Sequence, residues 1–187
     1  MGASRVLWCV ATALTGLLIA SNVSAFEVLS ANTHFEDKEF RVELDLILNA
    51  PPERVQSVLR DYDDYARLDA GIMESRVLDR VDAETVMLFT KLRACAGVFC
   101  RTVKRVERVQ ERSFELLATA IPDQSDVVSG HTHTVLQTLD SQTRVRYTTA
   151  VVPKFWVPGF IGRPLMLRTL REASLELFRN IETRARQ

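Results

Sequence analysis

From Phe40 the chain alternates strictly: Phe40, Val42, Leu44, Leu46 and Leu48 are apolar, while Arg41, Glu43, Asp45 and Asn49 are polar. A period of two is that of a half-buried strand with one wet face. Pro51-Pro52-Glu53 follows, where proline presets a first helical turn and an acid suits the positive end of the helix dipole. Val55, Val58, Leu59 and Tyr62 then recur at i, i+3, i+4 and i+7, which predicts a short amphipathic helix over 52–62. A second helical turn fits 63–68, and Ala70-Gly71 stops it.

Beyond Ile72 the pattern becomes a run of β segments, expected at 72–80, 84–92, 99–110, 112–121, 127–139 and 143–152. Asp82-Ala83, Ala96-Gly97, Glu111-Arg112, Pro122-Asp123-Gln124 and Asp140-Ser141-Gln142 supply the turns. Connections this short imply antiparallel neighbours, because a parallel crossover needs about a dozen residues. Pro153 and Pro158-Gly159 close the last strand. Met166, Leu170, Ala173, Ser174, Leu177, Phe178 and Ile181 then share one helical stripe, with Arg168, Arg171, Glu172, Arg179 and Glu182 on the other side. A long helix over 161–185 with so wide an apolar face has to lie on the sheet. The expected class is α+β: a curved seven-stranded antiparallel sheet around a long C-terminal helix, with two short helices after the first strand.

The N-terminus changes the setting. One positive charge at Arg5, an uncharged apolar stretch from Val6 to Ala20 and small residues ending at Val23-Ser24-Ala25 form the three regions of a signal peptide. The stretch is shorter than the roughly 18 to 20 residues of a membrane-spanning helix. Cleavage after Ala25 and a periplasmic or secreted location are therefore expected, with no transmembrane anchor in the mature chain. Cys9 follows the bulky Trp8 early in the apolar stretch, which argues against lipidation. Loss of Arg5 leaves 23 basic against 24 acidic residues, and 162 of the 187 residues form one domain, 26–187. Near-neutrality gives no electrostatic case for a nucleic-acid partner. The oligomeric state is open.

Only Cys95 and Cys100 then remain, with Gly97 between them. In an oxidising compartment they read as a disulfide across the mouth of a hairpin, with free thiols or a metal as the alternatives.

The order of elements, with the strand-to-helix entry Leu46-Ile47-Leu48-Asn49-Ala50-Pro51-Pro52-Glu53-Arg54-Val55 and then Leu59, Asp61 and Tyr62, resembles the START-like, or SRPBCC, superfamily. Gly71-Ile72-Met73-Glu74-Ser75-Arg76-Val77-Leu78 and Pro158-Gly159-Phe160 before the last helix extend the likeness over nearly the whole mature chain. That superfamily includes polyketide cyclases, lipid-transport proteins and the birch-pollen allergen group. The resemblance implies a helix-grip fold with a hollow between sheet and helix.

Candidate chemistry is sparse. His131 and His133, two apart on a presumed strand, share a face. They could bind metal or shuttle a proton, mark a pocket if that face is the hollow one, or lie in solvent if it is the outer one. Tyr147 shares its face with Val145, Thr149 and Val151, and either orients a ligand oxygen or fills the core. Asp61, Asp63, Asp64 and Asp69 could do acid–base work or bind calcium, but without the regular Asp-x-Asp-x-Asp-Gly spacing they read as caps and solvated helix faces. Arg101, Lys104, Arg105, Arg108 and Arg112 could face an acidic partner or lipid headgroups, but Glu107 and Glu111 interrupt them, and they read first as the solvated outer face of a strand. Nucleophile elbows, phosphate loops, dinucleotide fingerprints and zinc-protease helices do not occur in the sequence, so no cofactor or metal is expected.

The leading expectation is a carrier of a small apolar or lipid-like molecule, which needs its apolar surface covered in water. Expected contacts are Phe89, Phe114, Leu116, His133, Tyr147, Met166, Leu170 and Leu177, taken from the inferred facing of strands and helix. A one-residue slip would exchange Phe89 for Leu88, or His133 for Thr132. The alternatives are a cyclase- or hydrolase-like enzyme using His131, His133 or Tyr147, and a cavity-free interaction module.

Overall fold

The computed structural model describes residues 26–96 and 99–187. The expected leader, 1–25, lies outside them, as do Gly97 and Val98 of the expected Ala96-Gly97 turn. In chain order the elements are β1 (Glu27–Glu36), β2 (Glu39–Leu48), α1 (Pro52–Leu59), a 3-10 segment (Tyr62–Arg67), β3 (Ile72–Arg80), β4 (Thr85–Ala96), β5 (Phe99–Arg112), β6 (Glu115–Ala120), β7 (Val127–Leu139), β8 (Gln142–Pro153) and α2 (Gly162–Ala185). The strands form one antiparallel sheet in the order β1-β2-β8-β7-β6-β5-β4-β3. The long-range β2–β8 pairing runs from Phe40 opposite Val151 to Leu48 opposite Thr143 and ties the two ends of the β sequence together.

The alternation of β2 is realised as expected: Phe40, Val42, Leu44, Leu46 and Leu48 are all buried. Val42, Leu44, Leu46 and Leu48 meet Val55 and Leu59 of α1 and Phe178 and Ile181 of α2 in the main core. Burying a side chain of this size contributes about 1.5 to 3 kcal/mol. This end of the molecule is therefore where the sheet grips the helix.

The sheet has eight strands where seven were expected. The extra one is β1, on segment 27–36, to which the sequence pattern assigns no element and which carries His34. It is an edge strand on which only Ala31, Thr33 and Phe35 are half-buried on alternate positions, so its apolar signal is faint. The turn into β2 hides it further. Asp37 and Lys38 both adopt positive φ, 49° and 69°, the geometry of a two-residue hairpin loop usually signalled by Asn-Gly or Asp-Gly.

Polar clips fix α2 over the sheet. Asn180 Nδ2 donates to the Leu68 carbonyl at 2.8 Å, and Arg184 pairs with Asp64 and, at 3.5 Å, with Asp61. Glu182, expected on the wet side of the helix, is buried and accepts a hydrogen bond from the Asn49 backbone N–H at 3.0 Å. That N–H follows the last residue of β2, and a buried donor without a partner would cost about 1 to 3 kcal/mol. Glu182 is thus a connector, and its apolar-stripe neighbours Phe178 and Ile181 do the packing. The first half of α2 behaves differently. Met166, Leu170 and Ala173 are only half-buried, because the sheet curves away beneath them.

Candidate ligand cavity

Between the concave face of the sheet and the first half of α2 lies a cavity of about 880 Å³. This is within the roughly 300 to 1,000 Å³ of small-molecule sites. Sheet and helix are therefore not packed solid, and the filled interior required by the interaction-module reading is not what the fold has. Leu59, Val109, Phe178 and Ile181, all buried, close the inner end. At the other end the wall is made by exposed residues, Arg93, Arg101, Trp156 and Ile161, and there the cavity opens to solvent. The disulfide between Cys95 and Cys100, paired opposite each other on β4 and β5, staples one side of this mouth.

Five of the eight expected contacts line the cavity: Leu116, Tyr147, Met166, Leu170 and Leu177. Phe89 and His133 point the other way. On β4 the inward residues are Leu88 and Thr90, and on β7 they are Thr132 and Thr134, the one-residue slip that alternation alone could not fix. Arg76 stacks over the outward Phe89 ring at 5.0 Å. His133 is exposed, with its Nε2 2.7 Å from Glu115 Oε1, and His131 is exposed on the same outer face. That hydrogen bond holds the Glu115 carboxyl below its ordinary range. Phe114 sits at φ 57° in the tight turn between β5 and β6 and packs against the main core without reaching the cavity wall. No three His, Cys, Asp or Glu side chains are placed to hold a metal among the described residues.

Strand β5 departs from expectation. Arg105 and Glu107, expected on the outer face, line the cavity together, with Arg105 Nη2 2.9 Å from Glu107 Oε2. Glu107 is 2% exposed, and its Oε1 has no hydrogen-bond partner among the described protein groups. Arg105 Nε and the buried Thr90 Oγ1 are likewise unpartnered. Thr132 and Thr149 share a hydroxyl hydrogen bond of 3.0 Å on the same wall.

Three tyrosines complete the polar set. Burial pushes the ionisation of Tyr62, Tyr65 and Tyr147 above that of a free phenol, so all three stay protonated at neutral pH. Nearby Glu107 adds to the effect at Tyr65, whereas the Thr149 and Ser174 hydroxyls and the Arg105 charge moderate it at Tyr147. Tyr62 donates to Glu111 at 2.8 Å and Tyr65 to the Leu59 carbonyl, which commits both hydroxyls. Tyr147 stands edge-on to Phe178, with ring centroids 5.1 Å apart. An otherwise apolar chamber thus contains a charged pair with spare hydrogen-bonding capacity and a phenol suited to donating.

The chain matches no family model and no curated protein sequence. Solved structures do match. The protein TTHA0849 from Thermus thermophilus aligns with a TM-score of 0.67 at 18% identity, over 78% of this chain and 96% of its own. The Zhui aromatase/cyclase from Streptomyces sp. R1128 gives 0.65 at 15% identity, over 79% and 94%. A STAR-related lipid transfer protein from Xanthomonas axonopodis gives 0.61 at 14% identity, over 84% and 99%. The fold is START-like, with the helix-grip arrangement of a curved sheet around a long C-terminal helix.

Proposed function

We propose that this protein binds an elongated, mainly apolar molecule bearing a polar group, and carries it through an aqueous compartment outside the cytoplasm. The observation that carries the reading is a START-like cavity of about 880 Å³ with apolar walls and the Arg105–Glu107 pair among them. Covering an apolar molecule removes its hydrophobic hydration, while the spare capacity of Glu107 and Arg105 selects a ligand that brings a hydrogen-bonding group to that depth. The similarity to a lipid transfer protein supports this choice of ligand class. The leader at 1–25 and the Cys95–Cys100 bond support export, since disulfides persist in oxidising compartments.

A cyclase-like enzyme is the second reading, favoured by the convergence of Glu107, Arg105 and Tyr147 on one chamber and by the similarity to an aromatase/cyclase. It is the weaker one. His131 and His133, the acid–base candidates, lie on the outer face, and Glu107 is already engaged by Arg105 at 2.9 Å.

The test is competition for space. Leu170→Trp adds volume at the cavity wall, so it should weaken binding of a fluorescent fatty acid or sterol probe about tenfold or more, with the melting temperature held within a few degrees. A packed core would instead lose about 1 to 3 kcal/mol. Failure of every such probe to bind the parent protein, together with strong destabilisation by Leu170→Trp, would retire the carrier reading. Turnover of a polyketone by the parent would replace it with the enzyme.

A further inference from the structure

Trp156, Phe160 and Ile161 are 82%, 100% and 77% exposed, the three most exposed large apolar side chains among the described residues. They fall within six positions, on the segment joining β8 to α2, and Trp156 and Ile161 also line the cavity. The apolar protrusion is therefore the lip of the mouth. Scattered single apolar residues on a surface need no explanation, but a cluster does. The lip is also held in shape. Arg163 N–H donates to the Pro158 carbonyl at 3.1 Å, and a Cβ on Gly162 would come within 2.8 Å of Pro158, so helix start and lip are in close contact.

The two flanks of the mouth carry charge of one sign. Positions 85–96, 99–106 and 141–171, which build them, contain no Asp or Glu in a chain whose totals balance at 24 and 24. Arg93, Arg101, Lys154 and Arg163 are exposed there, and none forms an ion pair among the described residues. Arg101 and Arg163 instead lie over the Phe155 and Phe35 rings, at 5.0 and 4.5 Å. Of the acids on neighbouring segments, Asp69 and Asp126 spend a side-chain oxygen each on the backbone N–H of Gly71 and Lys104, and Glu39, on the hairpin that carries Phe35, is paired with Arg41.

We infer that the 156–161 lip is a membrane-docking surface for an anionic lipid bilayer, with Trp156, Phe160 and Ile161 entering the interface and the four basic side chains meeting phosphate headgroups. Aromatic and aliphatic side chains framed by Lys and Arg are the composition of surfaces that lie in the headgroup region. Each basic group near an anionic surface raises partition about fivefold, an effect confined to within a Debye length. A protein–protein interface is depleted of charge at its core, whereas here the fully exposed Phe160 stands between two flanks that carry basic residues and no acid. Docking here would place the open end of the cavity against the bilayer, so that an apolar ligand could pass between them without crossing water.

The test uses the protein as purified after expression with its own N-terminal segment, in a Trp8→Phe background that leaves Trp156 as the sole tryptophan. Vesicles of phosphatidylcholine with phosphatidylglycerol should shift its emission to the blue, brominated acyl chains should quench it, and the protein should co-sediment. Partition of Trp156→Ser/Phe160→Ser, followed by sedimentation, should fall at least tenfold. Partition of Arg101→Gln/Arg163→Gln into the anionic vesicles should fall by more than about tenfold, and raising the salt should do the same to the parent. Unchanged unfolding midpoints exclude misfolding as the cause. Three results would each overturn the inference: emission indifferent to vesicles, a serine variant that sediments like the parent, or a concentration-dependent dimer that the serine variant abolishes. Probe uptake measured without vesicles separates this outcome from the carrier reading, because either can fail while the other stands.

Discussion

Removing the Arg105 guanidinium isolates the cost of an unpaired charge in the cavity wall. Glu107 is 2% exposed and pairs with Arg105 at 2.9 Å, while its second oxygen meets no protein donor among the described residues. Arg105→Leu leaves that carboxylate facing an apolar chamber. Breaking a buried pair from one side costs about 3 to 5 kcal/mol. The Arg105 side chain is 25% exposed at a cavity that water can enter, so the low end, about 3 kcal/mol, is expected. In a domain of this size about 1 kcal/mol moves the melting point by 2 to 4 °C, which puts the fall at roughly 6 to 12 °C. Arg105→Leu/Glu107→Leu removes both charges together and should return to within about 1 kcal/mol of the parent, because neither ion then has to be desolvated. Urea unfolding followed by circular dichroism at neutral pH, with thermal scans alongside, reads both quantities. A double variant as unstable as Arg105→Leu would refute the reasoning, since shape and not charge would then set the cost. The double variant also isolates function: it should keep the cavity and lose its preference for a hydroxylated probe over the matching hydrocarbon.

Phe178, wholly buried and edge-on to Tyr147, closes the inner end of the cavity; Phe178→Ala should cost about 3 to 5 kcal/mol in the same unfolding assay, and a loss under about 1 kcal/mol would show that the helix is not gripped there. The bidentate hydrogen bonds from Arg144, at 2.9 and 2.6 Å, hold the Asp45 carboxyl below its ordinary 3.8. A lowered carboxylate adds stability above its unfolded pKa that is lost as pH falls through the folded one. The urea-midpoint gap between parent and Arg144→Gln should therefore stay constant above the ordinary carboxylate range and close as pH falls below it. Reduction of Cys95–Cys100 should cost about 2 kcal/mol, because the closed loop is short, and both thiols should resist alkylation until reductant is added.

What was legible in the sequence follows from how each signal arises. β2 and α1 could be read because a strand with one buried face and a helix with one buried stripe write their periods directly into residue type. The turn at Pro122–Gln124 and the boundaries of β7 and β8 were similarly clear. β1 was not, because an edge strand that buries alternate residues only partly has little reason to be apolar, and its Asp37-Lys38 loop takes positive φ without glycine. Glu182 was misplaced for a related reason. A single buried carboxylate that meets one backbone N–H looks, in sequence, like any surface acid on a helix.

The cavity was harder to read than the core because a hollow relaxes the rule on which alternation depends. Where a strand faces packed side chains, the inward positions must be apolar; where it faces a chamber, Arg105, Glu107, Thr90 and Thr134 are tolerated or needed, and the strand loses its contrast. On β5 the result is Val103, Arg105, Glu107 and Val109 on the inner face, with Lys104, Val106 and Arg108 between them. Neither face reads as buried. Val106 deepens the confusion, since it is buried although it lies on the outer side, beneath the Pro122–Gln124 segment, where Ser125 Oγ accepts from its N–H at 2.9 Å and donates to its carbonyl at 3.2 Å. The same loss of contrast explains Phe89 and His133, whose bulk made the outer face look like the inner one. A signal was nonetheless present in the long helix: Leu170 and Leu177 touch the core from its edge while Met166 and Ala173 do not, yet all four continue the apolar stripe, and an apolar stripe longer than the core beneath it points to a hollow.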